Sequence, residues 1–271
     1  MTELTVGALL RDWRRRRRLS QMDLALAVNV STRHLSFVET GRSRPSAELV
    51  LALADGLDIP LRERNTLLLA AGYAPRYPVR PLEDTAMDPA RDAVQRMLDA
   101  HDPYPGIVVD RAWNIVLANA AAGAITAGLP EELLGPPANV YRLSLHPEGL
   151  AKRTLNFGEW AAHLLQQLRR SVVLTGDPGL AALEAEVRAY PGVEEAVASV
   201  PASPLDRAPL LLPFRLDLGN GTELSLFTTL TTFGTPRDVT LDELAVELFY
   251  PADDASARLL GGRGSSASAL N

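Results

Sequence analysis

Residues 19–46 read LSQMDLALAVNVSTRHLSFVETGRSRPS. Ser20 is a good helix N-cap, and the acid three residues later completes the pattern of a capping box. Asn29 ends this short helix, because asparagine tolerates the left-handed conformation of a sharp turn better than most non-glycine residues. Ser31 then caps a second helix, which ends near Gly41. Two short helices joined by a tight turn have the dimensions of a helix-turn-helix motif.

Further helices flank this motif on both sides. Apolar residues recur at helical spacing from Val6 to Trp13, which predicts a helix before it. Ser46 starts a fourth helix with leucines four residues apart, and Pro60 starts a fifth. We therefore predict an all-α, five-helix helix-turn-helix domain over residues 1–73.

The basic charge of the chain is concentrated in this first domain. Residues 1–80 contain 13 Arg and 8 Asp or Glu, a net charge of +5, whereas the whole chain has a net charge of −6. Arginine side chains neutralise DNA phosphates, and an acidic surface repels them. This division predicts a first domain that binds nucleic acid and a second domain that does not.

The first domain resembles the XRE class of helix-turn-helix proteins, which includes the phage Cro and repressor proteins. The resemblance lies in LSQ at 19–21, VSTRHLS at 30–36 and ETGRSRPS at 39–46. It implies that the partner is double-stranded DNA. We accordingly predict a homodimer that binds a pseudo-palindromic operator.

Eight residues are candidates for DNA contacts. The resemblance implies that Arg14 and Gln21 bind phosphate, and that Thr32, Arg33 and Phe37 face the bases. Arg33 has the chemistry for a bidentate contact to guanine, and Thr32 for a base edge or a thymine methyl. Phe37 cannot hydrogen-bond to a base, so contact with a thymine methyl and packing within the domain both stay open. Arg42 and Arg44 match a basic loop that contacts the DNA backbone in that class. The full set is Arg14, Gln21, Thr32, Arg33, Ser36, Phe37, Arg42 and Arg44.

A proline-rich linker over residues 74–89 separates the two domains. Beyond it, β-rich segments flank helical ones, including a strongly amphipathic helix over 159–172. This order predicts an α+β domain over residues 90–252, in which helices cover an antiparallel sheet, and a frayed tail over 253–271. The β-rich segments are 107–109, 113–118, 210–218, 223–233 and 244–250.

The second domain resembles the PAS-like ligand-binding domain of the MmyB-like transcription regulators. The resemblance lies in WNI at 113–115, NVYRL at 139–143, LHPEGL at 145–150 and NFGEW at 156–160. It implies a PAS-like sheet with an apolar pocket, for which fatty-acid-like ligands have been proposed in that family. We therefore predict that the domain senses a small apolar ligand such as a fatty acid.

The candidate ligand contacts are aromatic side chains with two polar anchors. Small-molecule sites are mostly apolar with a few polar groups, although plain core packing is the alternative for each aromatic residue. Arg142 can grip a carboxylate bidentately, and His146 can anchor one. The full set is Tyr104, Trp113, Arg142, His146, Phe157, Trp160 and Phe227.

Several classes of function are excluded or disfavoured. The chain contains no cysteine, which excludes disulfides, thiolate metal sites and cysteine nucleophiles. Its four histidines lack metal-ligand spacing, and no phosphate-binding glycine loop precedes a helix, so we expect neither an enzyme nor a resident metal or cofactor. No apolar run approaches about 18 residues, and no signal-peptide pattern begins the chain, so we expect a cytoplasmic protein without a membrane partner.

Two alternatives to the sensor interpretation stay open. One is a DNA-binding repressor or antitoxin-like protein whose C-terminal domain dimerises or binds a protein partner without any ligand. The other is a PAS-like sensor that holds haem or flavin. A coloured preparation of the purified protein would indicate the haem or flavin sensor, because both cofactors absorb visible light.

Overall fold

The structure, a computed structural model, describes residues 5–201 and 210–264. The chain divides into two compact units. The first comprises residues 1–84 together with 234–242, and the second comprises 85–233 together with 243–271. Most of the segment that the sequence predicts to be a linker therefore belongs to the first unit.

Five helices form the N-terminal part of the first unit, as predicted. Serine side chains cap three of them, since Ser20, Ser31 and Ser46 each accept a hydrogen bond from the backbone N–H three residues later. Ser20 and Asp23 complete the expected capping box. The helices are α1 (Val6–Arg16), α2 (Gln21–Ala27), α3 (Thr32–Glu39), α4 (Ala47–Gly56) and α5 (Leu61–Ala70).

The core of the first unit consists of the apolar positions that recur at helical spacing. Each fully buried leucine side chain contributes about 1.5–3 kcal/mol of hydrophobic stabilisation. The core includes Leu10, Trp13, Leu24, Leu35, Val38, Val50, Leu53, Leu57, Leu67 and Leu68.

The second unit contains a five-stranded antiparallel sheet, as expected of a PAS-like α+β domain. The strand order is β2-β1-β5-β4-β3, so β5 is the central strand. Along β5, Glu247 lies opposite Ile107 on one side and Leu230 on the other. The strands are β1 (Gly106–Val109), β2 (Ile115–Ala118), β3 (Phe214–Asp217), β4 (Glu223–Thr232) and β5 (Ala245–Pro251).

Helices pack around this sheet and form its core with Tyr141, Trp160, Leu165, Leu168 and Phe214. Among the helices of the described residues, none is long and apolar enough to cross a membrane. The helices of the second unit are α6 (Asp88–His101), α7 (Ala120–Thr126), α8 (Glu131–Leu134), α9 (Val140–Leu145), α10 (Phe157–Thr175), α11 (Pro178–Arg188), α12 (Val193–Ala198) and α14 (Asp254–Gly264), whereas α13 (Val239–Asp242) belongs to the first unit.

The connection between β4 and β5, residues 234–242, is part of the first unit. The carboxylate of Asp242 accepts a hydrogen bond from the N–H of Leu61 at 2.9 Å, so it caps the start of α5 from a distant part of the chain. The buried carboxylate of Asp238 pairs with the guanidinium of Arg80 at 2.8 Å. The connection is thereby fastened to α5 and to the proline-rich segment after it.

The C-terminal tail corrects the prediction of a frayed segment from residue 253. Residues Asp254–Gly264 form α14, and Leu260 is buried. The hydroxyl of Ser256, which is 1% exposed, accepts a hydrogen bond from the N–H of Ser225 on β4 at 2.9 Å. Small residues make the segment resemble a linker in composition, yet they also allow a helix to pack closely on a strand. The rest of the predicted tail, 265–271, lies outside the described residues.

Candidate DNA-binding surface and ligand pocket

The helix-turn-helix consists of α2 and α3, joined by a tight turn. Asn29 has a positive φ of 55°, as expected for the residue that ends α2. The Ser31 hydroxyl accepts a hydrogen bond from the N–H of His34 at 3.1 Å, which fixes the start of α3. Leu35 and Val38 are buried, so the opposite side of α3 faces outward.

The outward side of α3 begins with Thr32 and Arg33, and both are exposed. A recognition helix contacts base edges with this N-terminal end. The guanidinium carbon of Arg33 lies 5.4 Å from the ring centre of half-buried Phe37, which is a cation–π contact. Phe37 therefore supports Arg33 from within the domain, and its contact with a thymine methyl stays a prediction. Ser36 is half-buried on the same helix.

Arg14 and Gln21, the predicted phosphate contacts, both bind the carboxylate of Glu39. Arg14 donates from Nε and Nη2 at 2.6 and 2.8 Å, and Gln21 donates from Nε2 at 2.8 Å. The side chains of Arg14 and Glu39 are 11% and 1% exposed. Burial acts to raise the pKa of Glu39, but the hydrogen bonds and the Arg14 charge outweigh it and hold that pKa below its ordinary value. The network fastens α1 and α2 to α3.

Three arginines of the basic first domain, Arg14, Arg44 and Arg17, bind groups within that same domain. Arg14 holds Glu39, so the geometry gives it a positioning role, and its phosphate contact stays a prediction. Arg44 donates to the carbonyl of Ala71 at 3.1 and 2.9 Å, which caps the end of α5. Arg17 donates at 2.8 Å to two carbonyls that follow α4. Arg42 is exposed in the loop after α3, and Arg44 is also exposed, so the backbone contacts predicted for both stay predictions.

An apolar pocket lies inside the second unit, with a cavity volume of about 70 Å³. This is roughly half of the ~150 Å³ that holds benzene in an engineered protein cavity. Strands β1 and β5 and helices α7, α9 and α10 supply its walls, and most of the lining side chains are aliphatic or aromatic. The polar side chains at its wall are Thr126, Ser144, Gln167 and Glu247.

Two lining residues carry a buried polar atom that has no hydrogen-bond partner among the described residues. These atoms are Nε1 of Trp160 and Oε2 of Glu247. Burial raises the pKa of Glu247 to about 7, although a hydrogen bond with Thr228 acts in the opposite direction. Burial also raises the pKa of Tyr141, and the nearby charge of Glu247 adds to this rise. Buried polar atoms are almost always paired in folded proteins, so these two make the pocket a candidate ligand site.

A strained residue, Trp113, forms part of the same wall. Its φ is +63°, and its ring packs edge-to-face on Tyr141 with 5.3 Å between the ring centres. The turn before it is held by Asp110, which accepts the N–H of Asn114 at 2.9 Å, and by Asn139, whose amide donates to Asn114 at 3.0 Å. Backbone strain of this kind clusters at ligand sites, where the surrounding structure maintains it.

Two of the seven candidate ligand contacts, Trp113 and Trp160, line this pocket. The expectation that Arg142 faces an acid headgroup there is corrected, because its guanidinium binds both carboxylate oxygens of Glu186 at 2.7 and 2.8 Å. His146 also lies elsewhere. Its ring packs edge-to-face on Tyr190 with 4.9 Å between the centres.

The other three candidates also lie outside the pocket wall. Phe227 stacks on Tyr250 with 5.3 Å between the ring centres. Tyr104 and Phe157 are partly buried and pack against the main core of the second unit. These aromatic residues therefore follow the plain core-packing alternative. Within the described residues, no cluster of three or more His, Asp or Glu side chains is arranged to hold a metal ion.

Sequence reasoning missed Glu247 and Tyr141. The strand that contains the glutamate reads AVELFYP over residues 245–251, and an acid within an otherwise apolar strand is a recognisable signal. Whether this acid is buried depends on β5 being the central strand of the sheet, and only the strand pairings show that position. Tyr141 gives no comparable signal, because a tyrosine in a short helix is usually a half-exposed core residue.

Comparisons with known proteins identify both domains. A family model described as the MmyB-like transcription regulator ligand binding domain matches residues 90–261, and a helix-turn-helix domain model matches residues 5–67. A search of the curated proteins found no match. Among solved structures, one described as "Structure of an RNA-binding Light-Oxygen-Voltage Receptor" matches 98% of this chain at 15% identity. This chain spans 64% of that protein, and the TM-score of 0.27 is too low to support an argument.

The two family matches fall on the two structural units. The helix-turn-helix match covers α1 to α5, and the ligand-binding match covers the antiparallel sheet and the pocket. The second match alone extends over more than half of the chain. The chain contains a helix-turn-helix domain followed by a ligand-binding domain, and it belongs to the family of the MmyB-like transcription regulators.

Proposed function

We propose that this regulator reads operator DNA with the start of α3 and that a small apolar ligand in the pocket changes its affinity for DNA. The observation that carries the proposal is the exposure of Thr32 and Arg33 at the end of α3 that enters a major groove. Arg33 rests on Phe37, which limits the freedom of its guanidinium before DNA is bound. Such preorganisation favours a specific bidentate contact to guanine.

The DNA contacts that we propose follow the XRE pattern. One recognition helix covers only a few base pairs, so we propose a homodimer that places two such helices on a pseudo-palindromic operator in the cytoplasm. Arg42 binds the DNA backbone beside α3, where its charge is exposed. Gln21 sits at the first position of α2, where Glu39 takes one N–H of its amide, and we propose that the second N–H of the same amide binds a phosphate.

The pocket suits a ligand with an apolar body. A fatty acid, the ligand type that the family resemblance implies, has an acyl chain that matches the aliphatic and aromatic walls. A long chain exceeds the cavity of about 70 Å³, so its binding requires the walls to move apart. This requirement favours regulation, because a ligand that changes the pocket shape also shifts the populations of the protein's conformations.

The connection between β4 and β5 belongs to the first unit, whereas β5 itself belongs to the second. β5 contributes Glu247 and Phe249 to the pocket. The segment that leads into β5 caps α5 through Asp242. The chain thus runs from the segment that caps α5 directly into the strand that carries pocket residues, and we propose that ligand binding and DNA binding are coupled along it; such coupling is typically worth about 1–3 kcal/mol.

The test begins with selection of duplexes from a random library by the purified full-length protein. Native mass spectrometry of the fresh protein, followed by denaturation, then detects any ligand that co-purifies. We expect a selected operator with two related half-sites, and an operator affinity that changes when the released compound is added back. Failure to enrich any sequence refutes the DNA-binding part. If a duplex sequence is enriched but no compound co-purifies and none changes the operator affinity, the result supports a C-terminal domain that dimerises or binds a protein partner.

A further inference from the structure

We infer that the ligand of this pocket is an uncharged apolar molecule with a hydrogen-bond donor, such as an alcohol, and that the donor binds the carboxyl group of Glu247. The inference rests on the proposed function, because it names the chemical class of ligand that the same pocket takes, a neutral molecule in place of the fatty acid that the family resemblance implies. It also assigns Trp160 as the donor to an acceptor atom of that ligand.

The position of Glu247 gives the first argument. It lies on the central strand β5, between Ile107 of β1 and Leu230 of β4. Thr228 bonds to its carboxyl group, yet Oε2 is buried and lacks a partner among the side chains and backbone that the structure describes. An unpaired buried carboxyl oxygen is costly, so a donor that reaches it gains more than a typical hydrogen bond.

The charges around the pocket give the second argument. Glu247 is the one ionisable side chain among the described residues that line it. Arg142, the arginine that the sequence offered for an acid headgroup, binds Glu186 and does not line the pocket. An ionised carboxylate in this cavity would face Glu247 without a cation to balance either charge. The apolar walls therefore accept an alkyl body, and the carboxyl group selects against an anionic head.

The indole of Trp160 gives the third argument. Its ring is 5% exposed, lines the same pocket and stacks on Phe214 with 4.7 Å between the ring centres. The indole N–H can only donate, and it has no acceptor within the part of the chain that the structure describes. A hydroxyl or amide group has both a donor and an acceptor, whereas an ammonium group has only donors. The unpaired carboxyl oxygen of Glu247 and the unpaired indole N–H of Trp160 together favour a neutral head group that both donates and accepts a hydrogen bond.

The test uses the full-length protein and three small probes matched in size. Butan-1-ol carries the donor, its isomer methyl propyl ether keeps only the acceptor, and butanoate carries the anionic head. The chain contains three tryptophans, so their indole N–H signals can be followed separately by NMR, with Trp160→Phe identifying the pocket signal. Titrations at pH 8 with the wild type, Glu247→Gln and the exposed control Glu148→Gln give the dissociation constants.

We expect butan-1-ol to shift the Trp160 signal and to bind about tenfold more tightly than the ether or butanoate. Glu247→Gln should reduce this preference to about twofold or less, and Glu148→Gln should keep it. Binding of the ether or butanoate as tight as that of the alcohol overturns the inference, as does an unchanged preference in Glu247→Gln. If no probe shifts the Trp160 signal, the pocket is not a ligand site, and the ligand part of the proposed function fails with it.

Discussion

Replacement of Glu39 by Gln tests whether the Arg14 network holds the helix-turn-helix together. The carboxylate accepts three hydrogen bonds from Arg14 and Gln21, and its side chain is 1% exposed. Removal of one partner from a buried ion pair costs about 3–5 kcal/mol, because the other charge stays buried. Arg14 is 11% exposed and the amide still accepts one bond, so we expect a loss near the lower end, about 3 kcal/mol.

The assay is amide hydrogen exchange in the full-length protein, measured for α1 to α3 over a series of urea concentrations. Glu48→Gln changes the same chemical group at an exposed position of α4 and should have a much smaller effect. Arg14→Met combined with Glu39→Met should be less destabilising than the sum of the single changes. Because the folded-state pKa of Glu39 is lowered, its contribution is present at neutral pH and is lost only as the pH falls below 4.5. Equal effects of Glu39→Gln and Glu48→Gln would refute the reasoning.

Three further predictions concern stability. The raised pKa of Glu247, about 7 against an ordinary 4.5, means that the folded state binds the proton more tightly, so stability falls as the pH rises through this interval. Between pH 5 and pH 8 the wild type should lose about 2.5 kcal/mol of unfolding free energy through this titration and Glu247→Gln should not, so an equal loss in both proteins would contradict the reasoning. Asp242→Ala should destabilise α5 by about 0.5–2 kcal/mol in hydrogen exchange, whereas Asp242→Asn keeps the acceptor and should restore most of it. Ser256→Ala should cost about 1 kcal/mol if α14 packs on β4, and no change in thermal unfolding would argue against that packing.

The helix-turn-helix follows from its sequence because its signals are local. Ser20, Asn29 and Ser31 specify where helices begin and end, and each acts on a backbone group within four residues. The strand hairpins of the second unit are equally local, since a turn lies between paired strands. These elements, and the antiparallel sheet that they build, could therefore be predicted.

The roles of the arginines could not be predicted, because they depend on distant partners. Arg14 meets Glu39 25 residues later, and Arg44 meets a carbonyl 27 residues later. A run of arginines on one helix gives the same charge pattern whether the guanidinium groups face DNA or neighbouring carbonyls. Only the structure shows the partners of Arg14 and Arg44 within the domain, and the DNA contacts predicted for the arginines stay predictions.

The pocket was only partly predictable for a related reason. Aromatic residues are good candidates for any apolar wall, yet the sequence does not distinguish Trp160 at the pocket from Phe227, which packs on Tyr250. Glu247 reaches the pocket because β5 is inserted between β1 and β4. The pairing of β1 with β5 joins segments about 140 residues apart. The spacing of apolar residues within each strand does not indicate which other strand it pairs with.

The most direct test of the central claim is the base preference of Arg33→Ala, determined by duplex selection and by titration of the selected operator at fixed salt. Arg76→Ala, an exposed arginine beyond α5, is the matched control. If α3 reads DNA as proposed, Arg33→Ala loses about 1–3 kcal/mol of operator affinity and relaxes the preference at one position of each half-site, while Arg76→Ala keeps that preference. A uniform loss on all sequences, with the wild-type preference intact in Arg33→Ala, would contradict the account.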